Sequence, residues 1–176
     1  LAAGTYSPET GENFPINMIS YINIEGEDEE TTIIDAMQTG GVIIMEYSQN
    51  NIIENLTITG GYAYSGAGIY ILGSMPVLVE LIISNNLSSW AGGGIFIVLG
   101  SMILTKSTIT ENNAQIGGGI YFNYGGHFPK LKIYNNIIWG NTIDQINGMQ
   151  GFLLPDYGVQ YNDIEGGWPG EGNIDI

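Results

Sequence analysis

Eighteen carboxylates, three lysines and one histidine are the ionisable side chains that could do chemistry in this 176-residue chain, which has no cysteine and no arginine. The densest carboxylates are Glu25, Glu27, Asp28, Glu29 and Glu30. Glu25, Glu27 and Asp28 are the candidate oxygen ligands for Ca²⁺, although the run lacks the glycine-punctuated spacing of a dedicated calcium loop. No other cofactor is expected. A glycoside hydrolase needs two carboxylic acids about 5 to 9 Å apart. Asp144, Asp156 and Asp163 fall in an irregular stretch where that spacing is attainable, but nothing selects a pair, and solvated turn acids are the simpler reading. His127, in Gly125-Gly126-His127-Phe128-Pro129, has no cysteine or acid cluster to complete a metal site and reads as an exposed turn residue. Lys106 follows Glu80 by 26 residues, and ion pairing with nearby carboxylates is the economical role for it and for Lys130 and Lys132. No catalytic residue emerges from this inventory.

The formal net charge of −15 argues against nucleic acid and anionic membranes as partners. Only 12% of residues are charged, so the acidity reflects missing cations, and Asn, Ser, Thr and Gly must cover most of the surface. The longest apolar runs, such as residues 95–99, fall far short of the ~20 residues of a membrane-spanning helix, so no transmembrane segment is expected. Without cysteine there are no disulfides and no thiolate sites. Asn55-Leu56-Thr57 and Asn86-Leu87-Ser88 match the glycosylation pattern, but such matches arise by chance in an Asn- and Thr-rich chain.

The elements that must position these residues follow from a repeat. Gly66-Ala67-Gly68-Ile69-Tyr70 recurs as Gly92-Gly93-Gly94-Ile95-Phe96 and as Gly117-Gly118-Gly119-Ile120-Tyr121. A second marker keeps the same beat: Leu56-Thr57-Ile58-Thr59-Gly60, then Leu81-Ile82-Ile83-Ser84-Asn85, then Thr108-Ile109-Thr110-Glu111-Asn112. A third, Gly73-Ser74-Met75, matches Gly100-Ser101-Met102. A fixed period of this size means a stacked repeat. The units are rich in Ile, Val, Thr, Tyr and Phe and are broken every few residues by Gly, Asn or Ser, so they are strands. Three short strands per coil of about 25 residues describe a single-stranded parallel β-helix, in which equivalent positions form ladders about 4.8 Å apart. Turn asparagines fit, because Asn tolerates the left-handed conformation and stacked amides can bond from coil to coil. Residues 22–25, 32–35, 42–45 and 55–58 read as earlier strands with less regular connections.

Alternation assigns the faces. Ile58, Ile83, Ile109 and Ile138 should stack in one inward column, with Ile69, Ile95 and Ile120 in another and Ile71, Ile97 and Phe122 in a third. Tyr70, Phe96 and Tyr121 then point outward beside bare glycines, and this aromatic ladder is the candidate ligand-binding surface. Its rings suit stacking on sugars, with Thr57, Ser65 and Thr108 as candidate hydroxyl neighbours, or packing against a surface protein or a second copy of the chain. The bland alternative is that the rings merely stack and shield the backbone.

These segments, together with Ile24-Glu25-Gly26, Thr31-Thr32-Ile33-Ile34-Asp35-Ala36 and Asn136-Ile137-Ile138-Trp139-Gly140-Asn141, resemble the pectate-lyase-like right-handed parallel β-helix superfamily of secreted bacterial surface proteins. The Gly-Gly-Gly-Ile units are similar to polymorphic outer-membrane adhesin repeats. The resemblance implies an all-β solenoid over residues 1–176 as one domain, belonging to a longer secreted or cell-surface chain with an N-terminal cap and a C-terminal continuation beyond it. It says little about activity, because that superfamily holds lyases, hydrolases, adhesins and scaffolds. Its polyuronate-cleaving members use Arg or Lys, commonly beside Ca²⁺, to bind or deprotonate substrate, and this chain has no Arg. The expectation is therefore a non-catalytic scaffold or adhesin presenting a face to a polysaccharide or protein. A polysaccharide lyase or hydrolase, or a self-associating solenoid, is the alternative.

Overall fold

The computed structural model describes residues 1–123, 130–148 and 158–176, and among these every regular element is a strand. All strand pairs are parallel, and they form an eleven-stranded sheet, a six-stranded sheet and a two-stranded lateral sheet. This is the parallel β-helix that the repeat predicts. The strands Ile52–Thr59 and Val77–Ser84 run through a bend, at Asn55 and Glu80, so the eleven-stranded sheet forms two walls of the solenoid and the six-stranded sheet forms the third.

Register is set by burial. Ile34, Ile58, Ile83, Ile109, Ile138 and Ile164 pair in succession as one inward column, each fully buried. On the six-stranded wall Ile43, Ile69, Ile95, Ile120 and Ile146 do the same, beside Met45, Ile71, Ile97 and Phe122. A slip of one residue would expose every one of these side chains, which is why the register is strongly specified. The third sequence marker misleads on this point. Leu72 pairs with Val98 and Val77 with Ile103, which sets Gly73 beside Leu99 rather than Gly100. Gly73 and Leu99 share the left-handed turn conformation (φ 61° and 55°), and that backbone requirement fixes the alignment.

At the corners the work of the paired turn residues divides. The first of each pair takes the left-handed conformation and need not be Asn: Glu80, Lys106, Glu111 and Tyr161 all occupy it. The second turns a side chain inward: Leu81 after Glu80, Ser107 after Lys106, and after Asn85, Glu111, Asn135 and Tyr161 the asparagines whose amides stack. In one ladder the backbone N–H of Gly61 donates to Asn86 Oδ1 (2.9 Å), that of Asn86 to Asn112 Oδ1 (3.1 Å) and that of Asn112 to Asn141 Oδ1 (3.1 Å). Each Nδ2 donates onward to the next amide oxygen, from Asn86 to Asn112 at 2.9 Å and from Asn112 to Asn141 at 3.0 Å. A second ladder runs through Ser107, Asn136, Asn162 and Asn173. Such ladders answer the question of where the corner N–H groups, which no strand pairs, find acceptors. Gly94 shows why glycine must follow: a Cβ there would lie 2.6 Å from the Gly119 carbonyl oxygen and 3.1 Å from Asn112 Nδ2. Beyond Asn162 the chain returns to the same corner at Asn173 by a shorter path, and Ile174 forms a single parallel bridge with Asp163. Trp168, on that path, packs edge-on against Phe122 at the end of the core.

Candidate functional site

Outward from the six-stranded wall, register places Ile44, Tyr70, Phe96, Tyr121 and Asn147 in one column. The rings of Tyr70 and Phe96 stack at 5.4 Å with 3° between planes, and those of Phe96 and Tyr121 at 5.4 Å with 16°. The outward ladder of Tyr70, Phe96 and Tyr121 is therefore present, but the expectation that glycines leave its rings bare is wrong. Phe96 is only 4% exposed.

The cover comes from residues that the sequence reading passed over. Between the amide corner and the glycine triplet the chain is extended, as Tyr62–Ser65 in one coil and Leu87–Ala91 in the next, and these two segments pair as the lateral sheet. The register shifts between Ser88 and Ala91, which lets Trp90 align its ring with Tyr64. The two rings stack at 5.5 Å and 20°. Trp90 then leans over Phe96 and Tyr121, with centroids 5.9 Å away and planes tilted by 48° and 53°. A signal was available: Tyr64 and Trp90 each precede the first glycine of their repeat by two residues.

Two aromatic layers thus meet at an angle, the Tyr70–Phe96 column as floor and the Tyr64–Trp90 pair as wall. Between them lies a groove of about 480 Å³, lined also by Ser65 and Glu46. Its surface is mostly apolar with a few polar groups, the usual make-up of a ligand site. Burial, followed by the negative charge of Glu46 and the neighbouring Tyr47, holds the Tyr70 phenol above its ordinary range. Glu46 is the one carboxylate among the described residues that line the groove. Of the three hydroxyl neighbours expected, only Ser65 is here. Thr57 donates its hydroxyl to the Glu29 carbonyl (2.6 Å), and Thr108 sits in the eleven-stranded sheet beside Ile82 and Ile137.

The carboxylates are distributed differently from the sequence expectation. Among the described residues no three His, Asp or Glu side chains gather into a metal site. Glu27 accepts the Ala3 backbone N–H (3.1 Å), Asp28 accepts that of Glu30 (2.9 Å), and Glu25 lies beside Glu54 in the strand register. Glu25, Glu27 and Asp28 thus hold separate places along a turn and a strand. Asp144 and Glu165 do line one polar hollow, of about 670 Å³, next to Trp168. Both are already engaged, Asp144 by the Asn147 amide (2.8 Å) and Glu165 by the Gly140 N–H (2.8 Å) and the Gln145 amide (2.8 Å). Asp163 lies apart from that hollow, and Asp156 and His127 fall outside the described residues. Lys106 bonds Glu80 at 2.8 Å, as its place one coil on predicts, and this contact holds its ammonium above the ordinary lysine value. The Asn86 sequon is buried: its Nδ2 is spent on the carbonyls of Ile58 and Ser84 and on Asn112.

No helix in the described residues is long and apolar enough to cross a membrane. No curated protein and no solved structure matches the chain. A family model described as a right handed beta helix region matches residues 18–164, which spans the stacked isoleucine columns, both amide ladders up to Asn162 and the whole aromatic groove. The chain belongs to the right-handed β-helix family.

Proposed function

We propose that this β-helix is a non-catalytic extracellular scaffold that receives a glycan in the groove between the Tyr64–Trp90 pair and the Tyr70–Phe96 column. The observation that carries this reading is the second aromatic layer. A single buried ladder would only shield backbone, whereas Tyr64 stands 69% exposed at the rim, stacked on Trp90, with its own phenol free to meet a ligand. Aromatic side chains of this kind combine a broad apolar face with a polar tip, as sugar rings require. Catalysis in the groove is disfavoured because a glycosidase pair needs two carboxylic acids and, among the described residues, only Glu46 lines it. Secretion and display at a cell surface fit the repeat-built, cysteine-free rod and remain part of the proposal.

A second reading, hydrolysis, has one observation in its favour: Asp144 and Glu165 face one hollow. One experiment separates the two. Calorimetric titration with a panel of neutral and charged oligosaccharides should detect binding to the wild-type chain, and Tyr64→Ala should weaken it about tenfold, equivalent to ~1.4 kcal/mol, with little change in melting temperature. Unchanged affinity in Tyr64→Ala would sink the groove reading. Shortened products in the same samples would favour hydrolysis.

A further inference from the structure

The groove is chemically lopsided. Among the described residues that line it, four aromatic rings, Tyr64, Tyr70, Trp90 and Phe96, are joined by one ionisable carboxylate, Glu46, and by no cationic side chain. The chain's three lysines lie elsewhere: Lys132 in a strand of the eleven-stranded sheet, Lys130 immediately before it, and Lys106 in the turn where it pairs with Glu80. The chain as a whole carries −15, so its field draws cations toward any concave face and repels anions. Aromatic faces add to this preference, since the negative face of each ring attracts a cation placed within about 6 Å of its centre. The rings alone would take any sugar with an apolar face. A uronate would meet both the carboxylate and the net charge with the wrong sign. A neutral sugar would use the rings but leave the charge of Glu46 unanswered, whereas a sugar bearing an ammonium group uses both.

We propose that the groove selects a polymer of amino sugars with free, protonated amines, its rings stacked on Tyr64 and Trp90 and one ammonium directed to Glu46. This inference rests on the glycan reading and narrows it. Glu46 lies on Ile43–Glu46, one strand before the Tyr70 strand, and Ile44 of the same strand continues the aromatic column, so the carboxylate stands two residues along from the groove floor. An ammonium reaching it would still contact the floor.

The test is calorimetric titration with three oligomers of equal length and linkage, built from glucosamine, N-acetylglucosamine and glucose, at low and high salt. It uses the wild-type chain, Glu46→Gln and Glu54→Gln; the last removes the same charge from the eleven-stranded sheet, away from the groove. A partly exposed ion pair together with a cation–aromatic contact should favour the glucosamine oligomer about tenfold at low salt. That advantage should shrink to about twofold in high salt and in Glu46→Gln, while Glu54→Gln retains it and the N-acetylated and glucose oligomers bind all three chains alike. Equal affinity for the three oligomers would overturn the inference and leave the glycan reading standing. An advantage that survives in Glu46→Gln, or falls equally in Glu54→Gln, would also overturn it, because attraction to the overall charge would then suffice. If none of the three binds, the inference is overturned, and the glycan reading falls with it only when the wider oligosaccharide panel also fails to bind.

Discussion

Replacing Asn112 with Ala should be among the most damaging single changes to this solenoid, although it removes no apolar group. Asn112 is fully buried. Its Oδ1 accepts the backbone N–H of Asn86 (3.1 Å) and the Asn86 Nδ2 (2.9 Å), and its Nδ2 donates to the Ile83 carbonyl (2.8 Å) and to Asn141 Oδ1 (3.0 Å). Two of these partners keep other bonds: Asn86 Nδ2 still reaches the Ile58 and Ser84 carbonyls, and Asn141 Oδ1 still accepts the Asn112 backbone N–H. The Asn86 N–H loses its side-chain acceptor and the Ile83 carbonyl its side-chain donor. The Ile83 carbonyl lies in the parallel ladder opposite Ile109 and keeps its strand bond, so one buried group, the Asn86 N–H, is left unsatisfied at about 1–3 kcal/mol. With ~1 kcal/mol for the other bonds lost, the variant should lose about 2–4 kcal/mol, a large part of an ordinary domain's stability. The neighbouring Asn85→Gly is the matched control. Asn85 is the left-handed residue at φ 55° and is exposed, so glycine there should be neutral or slightly stabilising. Urea unfolding read by circular dichroism gives both values. A loss below ~1 kcal/mol in Asn112→Ala, with the denaturant slope unchanged, would show that the ladder is incidental to stability.

Two further outcomes follow from the same coordinates. Gly94→Ala should lose about 1–3 kcal/mol through overpacking against the Gly119 carbonyl and Asn112, whereas Gly158→Ala, whose Cβ would meet, among the described residues, only Gln160 Cγ at 3.8 Å, should unfold like the wild-type chain. The Tyr70 phenol is held above its ordinary range in the folded chain, so its contribution to stability is fully present below its unfolded value near pH 10 and falls away as pH rises through the folded value. A difference absorbance titration against Tyr70→Phe should show that late ionisation, and Glu46→Gln should bring it part of the way back, since burial is the larger cause; no movement at all would place Glu46 away from the ring.

What the sequence could reveal depended on whether a position repeats. Ile58, Ile83 and Ile109 recur with burial on one parity, and a core accepts only one parity, so columns and register were legible before any coordinates. The stacked amides were legible as turn residues, but their division of labour was not. Asn85 and Asn86 look alike in sequence, and only the backbone tells the left-handed residue from the buried one. The groove was half legible. Tyr70, Phe96 and Tyr121 stand in line in three repeats, whereas Tyr64 and Trp90 lie in a connection whose two copies differ by a register shift; their common two-residue distance from the first glycine was the one signal, and it did not mark the connection as a strand. The rings therefore looked bare when they are roofed. Glu25, Glu27 and Asp28 are close in sequence, but Glu27 and Asp28 accept different backbone N–H groups, Glu25 lies in a strand, and no cluster of three acids forms among the described residues.

The most direct test of the central claim is to see which protons of the protein a bound sugar touches. Nuclear Overhauser contacts between oligosaccharide ring protons and assigned aromatic protons, measured on the wild-type chain at saturating ligand, read this without relying on a variant. Contacts to Tyr64 and Trp90 are expected, with weaker ones to Tyr70, and none to Tyr161 or Trp168 at the far end of the solenoid. Contacts confined to Trp168 and its neighbours around Asp144 and Glu165, with Tyr64 and Trp90 silent, would contradict the claim.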